Sequence, residues 1–154
     1  MGSQQSPLPP APLRGITGTD SPYERGHLRG SVRIARADPP FVRQVDLRDG
    51  VAALAAEAPK DATLVVFHTA VLGYLPNRAD REAFAASVST ACDYWISNEA
   101  PRVMPGIAGR APAQDRPGRF ILAVNGVPIA WAAPHGTALE WIGVLPEPNA
   151  IKRS

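Results

Sequence analysis

Cysteine is almost absent. The single Cys92 excludes an intramolecular disulfide framework and a cysteine-built zinc site, and it fits a reducing compartment. Lysine is nearly as scarce, with only Lys60 and Lys152, and the arginines that replace it are scattered among acids. With a net charge of +2 and no basic stripe, nucleic acid and anionic membrane are not expected as partners. No stretch approaches the roughly eighteen apolar residues of a membrane span, and the opening MGSQQSPLPPAPLRG has no apolar h-region, so a cytoplasmic protein is expected. His27, His68 and His135 lie too far apart for a metal signature and include no helix-borne zincin pair; no metal is expected.

Proline, by contrast, is abundant at 17 residues, and Pro7, Pro9, Pro10 and Pro12 crowd the start. Residues 1–30 mix Pro, Gly, Ser and charge without a helical or strand period and are read as an irregular leader. Residues 31–145 form one α/β domain, and 146–154 a polar tail expected to fray.

The domain is organised around TLVVFHTAVLGYLP, Thr63 to Pro76. The unalternating run Leu64 to Phe67 predicts a central strand, buried on both faces, parallel to strands near Phe41–Val45 and Trp95–Asn98. Ser31–Ala37 predicts the end of a helix, stopped by Asp38 before Pro39 and Pro40. Asp46 offers an N-cap with Asp49 three residues on, and Val51, Leu54, Ala55 and Ala58 share one helical face. After a short turn at Ala70–Leu75, Asn77 caps a longer helix to about Tyr94, with Phe84, Val88, Ala91, Cys92 and Trp95 at helical spacing; Cys92 is a small buried hydrophobe on this reading. Residues 100–117 make a long Gly/Pro-rich loop, either a lid or disordered. FILAV, Asn125-Gly126, VPIAWAA, Pro134-His135-Gly136 and ALEWIG then spell an antiparallel meander of two hairpins, with His135 in a turn role and Pro128 at a strand start or edge.

The blocks VVFHTAVLGYLP, WISNEAP and RFILAVNGVPIAWAAPHGTALEWIG resemble the C-terminal part of an uncharacterised, mainly actinobacterial family of unknown function. That family's pattern is in turn similar to class I S-adenosylmethionine-dependent methyltransferases, whose sheet ends in a reversed strand. The resemblance implies a partial methyltransferase-like, Rossmann-like sheet: parallel strands followed by an antiparallel C-terminal meander. It implies S-adenosylmethionine as cofactor for complete relatives. The sequence departs from the pattern at the cofactor turn, because the sole candidate, Gly15-Ile16-Thr17-Gly18-Thr19-Asp20, follows Pro-rich sequence rather than an apolar strand. No cofactor is expected for this chain, which reads as the second half of such a domain.

In open α/β sheets ligands meet the carboxyl ends of the strands. His68 and Thr69 end one strand, and Asn98 and Glu99 end its expected neighbour, so the four are expected together on one rim. His68 and Glu99 are the candidate catalytic residues, while Thr69, Tyr74 and Asn98 are the candidate substrate-binding ones. The competing assignment gives His68 a hydrogen bond to the following turn, and gives Asn98 and Glu99 a capping role. Trp95, Trp131 and Trp141 fall in apolar runs and read as packing residues. Two functions follow: a truncated methyltransferase-like domain, inactive alone or serving as a protein-interaction module, and an active methyltransferase of unknown substrate. The first implies an unpaired sheet edge covered by a second copy or by a complementing N-terminal half.

Overall fold

Two adjacent prolines end the first helix where the sequence places its stop. Helix α1 (Pro22–Ala37) closes with Asp38 N–H donating to Ile34 O at 3.0 Å, just before Pro39 and Pro40. The computed structural model describes residues 22–113 and 117–150, in two units divided after Gln44. Helix α1 belongs to the first unit, so Pro22 to Gly30, expected to be irregular, is helical. Arg, Leu and Ala outweigh the glycines in its propensity. The candidate cofactor turn at residues 15–20 lies outside the described residues. The strand expected at Phe41–Val45 does not form: residues 39–46 are irregular, Phe41 and Val42 are exposed, and Arg43 lies over the Phe41 ring at 4.9 Å. Alternation alone makes no strand without a partner to pair its backbone.

The second unit opens with helix α2 (Leu47–Ala56), capped as expected by Asp46, whose carboxylate accepts from Arg48 N–H at 2.9 Å and from the Arg48 guanidinium. The hydrogen bond from the Arg48 side chain, joined by that from its backbone, holds the Asp46 carboxyl well below the usual range. Leu47, Val51 and Ala55 face the core, while Leu54 is exposed.

Strand β1 (Val65–Thr69) pairs in parallel with β2 (Tyr94–Glu99), placing Val65 opposite Tyr94 and Thr69 opposite Asn98. Between them run a 3-10 turn, Leu72–Tyr74, and helix α3 (Arg78–Ala91). Strands β3 (Phe120–Val124), β4 (Val127–Ala132) and β5 (Leu139–Trp141) follow, each antiparallel to the one before, giving the order β1-β2-β3-β4-β5. This is the mixed α/β sheet with an antiparallel C-terminal meander that the sequence implies. Asn125 and Gly126 have φ of 49° and 74°, the paired positive values of a type I′ hairpin turn. Pro128 sits where the β3–β4 register shifts, a place that tolerates a missing N–H.

One face of the sheet is covered. Phe84, Val88, Cys92 and Trp95 pack there with Leu72, Ile121 and Trp131. Cys92 is thus the buried hydrophobe its spacing suggests. Residues 100–111, expected to be a lid or disordered, instead place Val103, Met104 and Ile107 in the core around a short helix α4 (Pro105–Ala108). Arg81 ties this segment down, donating from Nε to Val103 O at 3.1 Å and from Nη1 to Leu75 O at 2.6 Å. The tail expected to fray is pinned at Asn149, whose backbone N–H donates to Asp93 O and whose amide donates to Cys92 O.

The central position expected for β1 is not observed, because β1 is an edge strand among the described residues. Its alternate residues Val65 and Phe67 point to the face opposite the packed core, which is uncovered at this edge, and Phe67 is 76% exposed. An apolar residue on an open face writes the same letters as one buried on a second face. At the opposite edge Trp141 is 63% exposed on that face.

Candidate functional site at the carboxyl ends of β1 and β2

Because side chains alternate along a strand, the four strand-end residues divide between the two faces. His68 and Glu99 point into the covered layer, and Thr69 and Asn98 to the other side. The expectation that all four share one site is therefore corrected: they share a rim but form two pairs. Asn98 donates from Nδ2 to Thr69 Oγ1 at 3.1 Å, and this pair is exposed. Tyr74 is 86% exposed in the 3-10 turn.

The buried pair is more constrained. His68 Nδ1 lies 2.9 Å from Glu99 Oε1, and the indole N–H of Trp95 donates to His68 Nε2 at 3.0 Å. An indole nitrogen only donates, so Nε2 must accept, and in the neutral ring the proton resides on Nδ1 and is given to Glu99. Phe84 meets the imidazole edge-on with centroids 5.5 Å apart, and Trp95 stacks on it at 5.9 Å. Both ring nitrogens of His68 are thus engaged by protein.

Glu99 is 1% exposed. Its Oε1 also accepts from the backbone N–H groups of Val71 at 2.9 Å and Leu72 at 3.0 Å. Burial alone would raise the Glu99 carboxyl. The hydrogen bonds from His68, Leu72 and Val71 outweigh it and hold the pKa below the ordinary value. The carboxylate therefore caps the turn after β1.

That turn begins at Ala70, whose φ of 51° lies in the left-handed region. For a residue with a Cβ this conformation costs about 1–2 kcal/mol. It turns the chain so that the next two N–H groups meet Glu99. The sequence carries no signal for it, since alanine is not a left-handed former. The same turn does not fit S-adenosylmethionine in the manner of a glycine-rich turn, because a Cβ stands at its bend and the Val71 and Leu72 N–H groups already have a partner.

Among the described residues no group of three or more His, Cys, Asp or Glu side chains is placed to hold a metal ion, and no helix is long and apolar enough to cross a membrane. His135 lies in the 3-10 turn Pro134–Gly136 between β4 and β5, as its sequence context implies.

No curated protein and no solved structure matches the chain. A family described as an uncharacterized protein conserved in bacteria (DUF2332) matches residues 12–141, from ahead of α1 through the last strand. The chain belongs to that family, DUF2332.

Proposed function

We propose that this chain is a methyltransferase-like domain that does not transfer methyl groups by itself and that works by association. The observation that carries this reading is the engagement of both His68 nitrogens by Glu99 and Trp95, which leaves the imidazole no free lone pair or proton for a substrate. The parallel β1–α3–β2 unit followed by an antiparallel meander supports the methyltransferase-like architecture. On this reading His68 and Glu99, the candidate catalytic pair, hold the strand-end turn in place. Thr69 and Tyr74 are exposed groups available to a partner, with the half-buried Asn98 holding Thr69 in place.

The competing reading, an active S-adenosylmethionine-dependent methyltransferase of unassigned acceptor, draws on Ala70: left-handed strain at a strand end is common at working sites. Calorimetric titration of the chain with S-adenosylmethionine separates the two. The proposal expects no saturable heat at micromolar concentrations, and a single-site isotherm would overturn it.

For the associating surface the proposal takes a second copy of the chain. Val65, Phe67, Ile96, Leu122, Leu139 and Trp141 project to the uncovered face, and none of its strand residues is ionised near neutral pH. Two such faces meet about a two-fold axis without opposing like charges.

A further inference from the structure

We propose that the cleft between α3 and the segment carrying α4 binds a linear dicarboxylate with an apolar chain. Its volume is about 320 Å³, within the range of small-molecule sites. One wall is a single face of α3, where Arg78, Arg81, Ala85 and Ser89 recur at helical spacing. Met104, Ile107 and Arg110 form the other, and Trp95 stands at one end with the Asn125-Gly126 turn.

A guanidinium is fixed toward each end of the cleft. Arg81 donates from Nε to Val103 O and from Nη1 to Leu75 O and Pro76 O, all in segments that follow the carboxyl ends of β1 and β2. Arg110 donates from Nη2 to Gly126 O, in the turn whose Asn125 N–H meets Trp95 O at the start of β2. The two anchors are thus separated by the run from Trp95 to Glu99, about 13 Å at roughly 3.3 Å per residue. The helix gives a matching span, since Ser89 lies eight residues beyond Arg81, about 12 Å along α3. Among the described residues neither Arg81 nor Arg110 has a carboxylate partner, and the one acid of the lining, Glu82, is held by Arg78 at 2.7 Å. Arg81 keeps the N–H groups of Nη2, and Arg110 keeps those of Nε and Nη1. Arg81 Nη2 is not a buried atom and Arg110 is an exposed residue, so both reach solvent.

The ligand class follows from this chemistry. Bonds to carbonyls hold the two guanidiniums in place without neutralising them, so the counter-charge falls to the ligand at both ends. A planar fork of N–H donors matches a carboxylate. Between the ends Ala85, Met104, Ile107 and the Trp95 ring present carbon, and a polar linker there would lose its water without a partner. At about 1.2 Å of extension per bond, an aliphatic dicarboxylate of about ten carbons spans the anchors. This inference adds a small-molecule ligand to the associating role and does not depend on it.

The test is calorimetric titration of the full chain with sebacate, the dicarboxylate of that length, against decanoate and 1,10-decanediol, which keep the chain and lack one or both charges. Sebacate is expected to bind at a single site with a Kd below about 1 mM, decanoate about tenfold more weakly, and the diol more weakly again. Arg110→Gln removes the charge at one end. It is expected to weaken sebacate about tenfold, to the level of decanoate, while decanoate, which has the other end to use, changes by no more than about twofold. Arg78→Gln leaves Glu82 unpaired beside the Arg81 end and is expected to weaken sebacate by a similar factor, with thermal melting showing both variants folded. Sebacate binding no tighter than decanoate, equal loss of both ligands on Arg110→Gln, or no saturation by sebacate up to about 10 mM would overturn the assignment.

Discussion

Trp95 donates its indole N–H to Nε2 of His68 across 3.0 Å, and the direction of that bond decides what His68 does. A histidine at the end of a parallel strand, with a glutamate two residues beyond its partner on the next strand, has the outward form of an acid–base centre. The indole reverses the inference by consuming the nitrogen that would otherwise face a substrate. The three side chains form a buried chain, from Trp95 through His68 to Glu99, that ends on the backbone of the turn after β1.

Replacing Trp95 with Phe keeps an aromatic ring but leaves His68 Nε2 a buried acceptor without a donor. Trp95→Phe is expected to lower stability by about 1–3 kcal/mol, read from the shift in urea midpoint at unchanged slope. An unshifted midpoint would mean that water or another group replaces the indole.

Glu99→Gln is expected to cost more, about 2–4 kcal/mol, because a neutral amide is a weaker acceptor for three N–H groups and leaves a buried donor of its own. The pH dependence follows from the lowered carboxyl pKa. A carboxyl whose pKa is depressed by folding stabilises the protein fully above the unfolded value of about 4.3, and this contribution fades as pH falls through the folded value. Denaturation midpoints between pH 2 and pH 7, compared for the two proteins, should converge at the acid end. Parallel curves would show that Glu99 carries no linkage.

Ala70 gives a prediction of opposite sign. Ala70→Gly relieves the left-handed strain and is expected to raise stability by about 0.5–1 kcal/mol, after the larger unfolded-state entropy of glycine is counted. Ala70→Val should lower it. Thermal melts of the three proteins test the order.

How much of this was legible in the residues depends on the kind of signal. The meander was plain, because Asn125-Gly126 demands two positive φ values that only a primed hairpin turn supplies. Asp46 as a cap and the stop before Pro39 were equally local. The edge position of β1 was not legible, since Val65 and Phe67 on an uncovered face look like residues buried under a second layer. Nor was the absence of a strand at Phe41–Val45, which has the alternation of a strand but no partner. At the site, the residues pointed to His68 and Glu99 as candidates on one rim with Thr69 and Asn98, but grouped them by strand end and not by face, which depends on which residue of each strand faces the core. Trp95 read as packing, and it does pack; its second role as the donor to His68 needed the parallel register of β1 and β2.

The uncovered sheet face leads to a prediction about assembly. Light scattering coupled to size exclusion is expected to show a dimer or larger species, and Phe67→Asp, which places a charge at the centre of the exposed β1 residues, should shift it to monomer. A parent chain that stays monomeric at high concentration would remove association from the proposed function.

The most direct test of the central claim, that His68 is a structural link and not an acid–base group, is the protonation pattern of its ring nitrogens. Long-range nitrogen–proton spectra of uniformly labelled protein at pH 7.5 distinguish the two neutral tautomers. The proton is expected on Nδ1, with Nε2 showing the shift of an unprotonated acceptor bonded to the Trp95 indole, and Trp95→Phe should disturb that signal first. A proton on Nε2 would mean that the Trp95 bond does not form, and that His68 is free to serve a substrate.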